Sequence, residues 1–311
     1  MHRDMDPREI ERDRPEMPRG GRGGSDPERA VERTESRDPL TRELSLPRGR
    51  ARELVRSRDW EGELRGSEVR ILATAGAFRV VPMDELRRPQ ERPHVHRKDV
   101  ERLRAEGLVR TTPYFVGRRQ TTLVSLTERG RSVLESARRD RGGESRQSFY
   151  AGVSKPRELA HDARLHAAYR DASRKLEGRG LRVERVVLEE ELKREYQRFL
   201  QEPNRGRRES SGRPGRTAEE IARWADDHEL PVVDGHVQFP DLRIECERDD
   251  GGREIEDVEV VTPHYRGAHA AAKVSAGFTR YGAVGARFGG SSGRGRGGRG
   301  RDVRLAEEML S

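Results

Sequence analysis

The chain has 311 residues and a formal net charge of +8, with 39% charged and only 31% hydrophobic residues. This low apolar fraction excludes a core that runs through the whole chain, so we expect two small folded units with disordered ends. No apolar run approaches the roughly 18 residues of a membrane helix and the first residues lack the apolar segment of a signal peptide, so we expect a cytoplasmic protein with no membrane partner.

Most of the positive charge comes from arginine, whose planar guanidinium binds phosphate and guanine well. An excess of positive charge favours a polyanionic partner, here double-stranded DNA. The alternative is that a GC-rich genome encodes arginine wherever any solvated cation suffices. The single cysteine, Cys246, excludes an internal disulfide and a zinc site built on cysteines.

The first residues have almost nothing to bury. Residues 1–40 are mainly Arg, Asp, Glu, Pro and Gly, which predicts disorder. A few apolar side chains follow, among them Leu44, Leu54 and Trp60. We expect them to form a short helix that leads into the first domain.

Residues 41–139 are predicted to form a winged helix-turn-helix domain. RGSEVRILATAGAF (65–78) has the apolar spacing of one helix face, and after VPMDELRR comes a helix in HRKDVERLRAEGLVR (96–110) that ends at Gly107. Two β-rich runs around a turn at 117–119 then lead into a last helix. The order helix, helix, helix, β-hairpin, helix is that of a winged helix. The phrase LVSLTERGRSVL resembles the point where the wing re-enters a helix in multiple-antibiotic-resistance-type regulators.

Two surfaces of this domain are predicted to contact DNA. The helix after residue 96 would pack inward through Val100 and Leu103 and present its outer positions to a major groove. The wing tip would reach phosphates or a minor groove. The predicted DNA-binding residues are His96, Arg97, Lys98, Arg102, Arg118, Arg119 and Gln120. The alternative is a solvated charged face, with the wing serving as a dimer or partner surface.

A second, small α/β domain is predicted over residues 154–282, after a linker over 140–153. Thr217 and Glu220 form a capping box that begins an amphipathic helix. The other predicted elements before it are a helix over 154–180, a strand over 181–188 and a helix over 189–200.

The strongest hairpin signal is FPDLRIECERDDGGREIEDVEVVT (239–262). An odd-length turn centred on Asp250 places Leu242 opposite Val258 and separates apolar from charged residues better than an even turn does. The same register sets Arg243 opposite Asp257, which we interpret as a surface ion pair. It also places two carboxylates, those of Asp241 and Glu259, side by side.

A carboxylate pair on adjacent strands is what a hard cation such as Mg²⁺ requires. Pro240-Asp241 on one strand and Glu259 on the next resemble the core of the PD-(D/E)XK nuclease fold. The resemblance implies that Asp241 and Glu259 are catalytic and hold the metal. The family's lysine position is Val261, a departure, but Lys273 on a predicted helix over 269–281 would replace it. The alternative is an inactive site with Lys273 as a surface residue.

A winged helix followed by this motif order resembles the replication-relaxation family of plasmids and conjugative elements. The resemblance implies a DNA-binding protein of a mobile element that acts in replication, relaxation or mobilisation. Two alternatives remain: a transcriptional regulator whose second domain serves dimerisation or partner binding, and a Mg²⁺-dependent endonuclease. A homodimer is compatible with the winged helix. An Arg-Gly tract over 283–301 would either bind nucleic acid loosely or be a flexible tail without a partner, and 302–311 would form a short helix.

Overall fold

The structure is a computed structural model that describes residues 38–87, 93–116, 119–139, 146–153, 158–205, 215–261 and 268–282. It is a mixed α+β fold, as the sequence predicted. The predicted Arg-Gly tract, the terminal helix and all but the last three of residues 1–40 lie outside the described residues. None of the described helices is both long and apolar enough to cross a membrane.

The first half of the chain combines three helices with two small sheets. Its elements are β1 (Glu53–Arg56), β2 (Glu61–Leu64), α1 (Gly66–Ala77), β3 (Val80–Pro82), α2 (Pro93–Ala105), β4 (Val109–Val116), β5 (Arg119–Leu126) and α3 (Glu128–Ser136). Strand β5 lies between β3 and β4 and is antiparallel to both. In the chain, the β4–β5 hairpin comes directly after α2.

Helix α1 is the central helix of this half. The Glu68 side chain accepts a hydrogen bond from the Arg65 amide over 3.0 Å, which satisfies a backbone donor at the helix N-terminus. Almost every residue of the helix is buried, because small and apolar side chains occupy all its faces. A Cβ added to Gly76 would lie 3.0 Å from both Leu126 and Phe149, so glycine permits this close approach.

Two sequence predictions in this half were wrong. The expected short helix before residue 65 is instead the antiparallel β1–β2 ribbon, in which Glu53 pairs with Leu64. VPMDELRR provides strand β3 and a single 3-10 turn over Met83–Leu86 rather than a full helix. Each strand of the ribbon buries one apolar side chain, Val55 in β1 and Leu64 in β2.

The second half is built on a four-stranded sheet of order β11-β10-β9-β6. Strands β6, β9 and β10 are antiparallel, and β11 is parallel to β10. The elements of this half are α4 (Leu159–Gly178), β6 (Arg182–Leu188), α5 (Glu189–Gln201), α6 (Ala218–Asp227), β7 (Val232–Val233), β8 (His236–Val237), β9 (Leu242–Glu247), β10 (Arg253–Val261), α7 (Ala268–Ser275) and β11 (Thr279–Gly282).

The predicted hairpin register is confirmed. Leu242 pairs with Val258 and Arg243 with Asp257, as an odd turn around Asp250 requires. The predicted helix over 269–281 was wrong at its end, because α7 stops at Ser275 and residues 279–282 form β11. Gly277 has a φ of 79°, a left-handed conformation that favours glycine and ends the helix.

The predicted linker is packed where the structure describes it, over residues 146–153. The Gln147 side chain exchanges two 3.0 Å hydrogen bonds with the backbone of Val186 in β6. The Tyr150 amide donates to Gly76 O in α1 over 2.8 Å. One hydrophobic cluster includes buried residues of both halves, such as Leu72 and Ile244. The connection is therefore part of a shared core.

Candidate functional site

The two predicted carboxylates lie side by side. Asp241 immediately precedes β9, so continuing the Leu242–Val258 register places it beside Glu259 of β10. The Val260 amide donates to Asp241 Oδ2 over 2.8 Å, which ties the first carboxylate to the strand of the second. Both side chains are buried, Glu259 to 3% exposure. Buried carboxylates require partners, because an isolated charge in a protein interior is costly.

Lys273 of α7 supplies the principal partner. Its Nζ donates to Glu259 Oε2 over 2.8 Å and to Phe239 O over 2.6 Å. It also lies 3.9 Å from Asp241 Oδ1 and 3.6 Å from Glu189 Oε1. Burial alone would lower the pKa of Lys273, but the charges of Asp241 and Glu259 raise it, so the side chain is an ammonium. The alternative that Lys273 is a surface residue was therefore wrong.

His161, near the start of α4, completes the cluster. Its Nε2 lies 3.0 Å from Asp241 Oδ2 and its Nδ1 lies 3.4 Å from Asp162 Oδ1. Burial alone would lower the pKa of His161, but the hydrogen bonds to these two carboxylates raise it to about 10. The imidazole is thus protonated at neutral pH and donates through both nitrogens. In the sequence, His161 fits the replication-relaxation resemblance by its place near the start of the linking helix, but a lone histidine on an apolar helix face is also typical of a core residue.

The pKa of Asp241 is lowered. Burial would raise it, but the hydrogen bond and charge of His161, the charge of Lys273 and the Val260 amide outweigh that effect. Two cations therefore face the three carboxylates of Asp241, Glu259 and Glu189. This arrangement pairs the buried charges of Asp241, Glu259 and Lys273 within the protein.

The cluster does not fit a divalent metal with Lys273 in place. Asp241 and Glu259 offer the oxygen ligands that Mg²⁺ prefers. However, the Lys273 ammonium already bonds to Glu259 and stands between the two carboxylates. Across the described residues, no group of three or more His, Cys, Asp or Glu side chains is arranged to hold a metal ion. No metal-dependent cleavage step follows from this geometry.

The predicted surface position of a second ion pair on the sheet, Arg243 with Asp257, was wrong. Arg243 is buried and donates to both Asp257 oxygens, over 2.8 and 2.9 Å. It also donates to the carbonyls of His228 and Glu229, which follow α6. The predicted surface ion pair is instead an internal link between the sheet and the inserted helices, since all three guanidinium nitrogens donate to protein oxygens.

Helix α2 presents part of the predicted DNA-binding surface. Val100 and Leu103 are buried, as predicted, while Arg97 and Lys98 are exposed. Arg104 is exposed as well and was missed, although it lies seven residues after Arg97 and therefore on the same helix face.

Two residues of the predicted outer surface of α2 face the protein instead. His96 is buried, with Nε2 3.0 Å from Met83 O. Arg102 is half-buried, donates to Glu63 O over 2.9 Å and lies 3.4 Å from Glu68 Oε1. Their expected outward placement was wrong, because both side chains satisfy acceptors of neighbouring elements.

The hairpin tip is only partly described. Gln120 is exposed, Arg118 lies outside the described residues, and only the backbone of Arg119 is described, at the start of β5. Phe115, which pairs with Gln120, is 64% exposed and was not singled out in the sequence. The hairpin thus carries an exposed aromatic side chain beside its tip.

Comparison with known proteins gives no relative for this chain: no family model, curated protein or solved structure matches it.

Proposed function

We propose that this protein binds duplex DNA through α2 and the β4–β5 hairpin. The observation that carries the proposal is the exposed basic face of α2, formed by Arg97, Lys98 and Arg104, directly beside an extended hairpin. The buried side of the same helix anchors it through Val100 and Leu103. A helix held in this way can enter a major groove while the hairpin contacts the neighbouring backbone. The order of α1, β3, α2, β4 and β5 supports interpretation as a winged helix.

The second half is proposed to be a nuclease-like platform that this module brings to DNA. A helix, three antiparallel strands, a helix and a parallel strand follow in the order of the PD-(D/E)XK core, with α5, α6 and the β7–β8 hairpin inserted after β6. Asp241, Glu259 and Lys273 converge at the positions that the resemblance implies. We place the protein in replication, relaxation or mobilisation of a mobile element, as the replication-relaxation resemblance suggests.

The second candidate function is a metal-dependent endonuclease. The observation that favours it is the side-by-side burial of Asp241 and Glu259. The ammonium of Lys273 opposes it, because a metal would have to displace a bonded cation from the same oxygens. The non-cleaving platform is therefore the function that the geometry supports better.

The test of the proposed function is duplex binding by the full chain in buffer with a chelator. Fluorescence anisotropy with a labelled duplex should report binding that weakens steeply with salt, because phosphate contacts release counterions. Binding that is absent at low salt, or that does not change with salt, would contradict the proposal.

A further inference from the structure

Four oxygen atoms surround the Lys273 ammonium. Phe239 O lies at 2.6 Å, Glu259 Oε2 at 2.8 Å, Glu189 Oε1 at 3.6 Å and Asp241 Oδ1 at 3.9 Å from Nζ. One carbonyl and three carboxylates are the ligand types that a hard divalent cation takes in proteins. The shell therefore contains the ligand types of a cation site, although its three carboxylates are not arranged to hold a metal ion as they stand, and its cation is a side chain of the same protein.

The ammonium is enclosed as well as paired. Lys273 is 4% exposed, and the Phe278 ring centroid lies 5.8 Å from Nζ. The aromatic face adds a favourable contact with the cation. Three elements far apart in sequence hold the shell: β10 holds Glu259, the start of α5 holds Glu189, and α7 holds the lysine.

We propose that Lys273 is a built-in replacement for a divalent metal, so that the second half keeps its structure and its place on DNA without a bound metal ion. The inference rests on the proposed nuclease-like platform, since that resemblance is what makes a metal expected at these carboxylates. A lysine needs no metal supply, and it also prevents the shell from activating a water molecule as a bound metal would. The contacts of Lys273 with these carboxylates then hold β9, β10 and α7 together.

The experiment is a titration of the full-length protein with Mn²⁺ in the absence of DNA. Binding is measured as the decrease of the electron paramagnetic resonance signal of free Mn²⁺. The variants are Lys273→Ala, Asp241→Asn and the double variant that combines the two substitutions. Lys193→Ala is the matched control, because Lys193 is an exposed lysine that pairs with the same Glu189 over 2.8 Å. Wild type and Lys193→Ala should bind Mn²⁺ equally weakly. Lys273→Ala should gain one site at least about tenfold tighter, which the double variant loses.

Two outcomes would overturn the inference. One is a wild-type Mn²⁺ site that Asp241→Asn removes, since the metal would then enter despite the lysine. The other is a folded Lys273→Ala protein whose Mn²⁺ binding equals that of wild type. If Lys273→Ala does not fold, the melting temperature of the wild-type protein is measured instead. It should be the same in chelator and in Mn²⁺. An increase of the melting temperature in Mn²⁺ that is absent in Asp241→Asn would refute the proposal. Because no DNA is present, failure here is distinct from failure of DNA binding.

Discussion

The Val260 amide donates to Asp241 Oδ2 over 2.8 Å, so that a side chain just before β9 satisfies a backbone donor of β10. Asp241 also pairs with the half-buried His161 and faces the buried Lys273, so its removal takes one carboxylate away from both cations. We expect Asp241→Ala to lower the free energy of unfolding by about 3–5 kcal/mol, as is usual when one partner of a buried ion pair is lost. Urea denaturation measures this decrease in the free energy of unfolding. Asp249→Ala, in the exposed turn, should change little, and an equal loss in both variants would contradict this explanation.

Supercoiled plasmid should stay intact when incubated with the wild-type protein and Mg²⁺ or Mn²⁺. The physical reason is that Lys273 neutralises the carboxylates that a metal would need. Gel electrophoresis of the plasmid measures this outcome. Cleavage that survives in Asp249→Asn but disappears in Asp241→Asn would establish the endonuclease function instead.

The Arg97→Ala, Lys98→Ala double variant should bind duplex DNA more weakly and with a smaller salt dependence. If both side chains contact phosphate, the slope of log K against log salt should fall in magnitude by about 2. The matched control is Arg174→Ala with Lys175→Ala, an adjacent and exposed arginine–lysine pair on α4. Fluorescence anisotropy at several salt concentrations measures the slopes. Equal losses in both double variants would assign the effect to net charge rather than to α2.

The contribution of His161 to stability should decrease at alkaline pH. Its pKa is raised to about 10 from an ordinary 6.5, because hydrogen bonds to Asp162 and Asp241 outweigh the opposing effect of burial. The protonated imidazole therefore stabilises the fold fully below pH 6.5, and this contribution is lost as the pH rises from 6.5 through 10. The difference in unfolding free energy between wild type and His161→Gln should narrow over that range. A difference in unfolding free energy that stays constant with pH would contradict the protonated state of His161. The control variant is His236→Gln, which changes an exposed histidine of β8.

Gly130→Ala should destabilise the first half. A Cβ at this position would lie 2.2 Å from Leu108 O, so α3 would have to move away from the segment just before β4. We expect a loss of about 1–3 kcal/mol, the usual cost of overpacking. Gly178→Ala on α4 is the matched control, because nothing lies within 4 Å of its added Cβ. Thermal unfolding measures both, and equal melting temperatures would contradict the expected clash.

The sequence predicted best what depends on neighbouring residues. Alternation around Asp250 fixed the hairpin register, since a slip of one residue would have moved Leu242 to the charged face. The Thr217–Glu220 capping box is confirmed for the same reason, because both of its hydrogen bonds are local. Strand β11 was missed because its four residues follow Gly277 without any alternation of their own.

Contacts between distant segments were harder to predict. Only the nuclease resemblance, and no pattern of residues near Lys273, indicated that it would meet Glu259 of strand β10. His96 and Arg102 have the outer positions expected of a recognition helix, yet Met83 and Glu63 provide acceptors that only the folded chain brings close. Pattern and spacing identify the face of an element, whereas tertiary packing decides which polar residues on it are satisfied internally.

The Gln147 side chain has a consequence for association between copies of the chain. Strand β6 lies at the edge of the sheet, where unpaired backbone groups would otherwise accept a strand from another molecule. At Val186, the Gln147 amide occupies both the N–H and the C=O. A single glutamine thus closes this point of the β6 edge to strand addition from another copy of the chain.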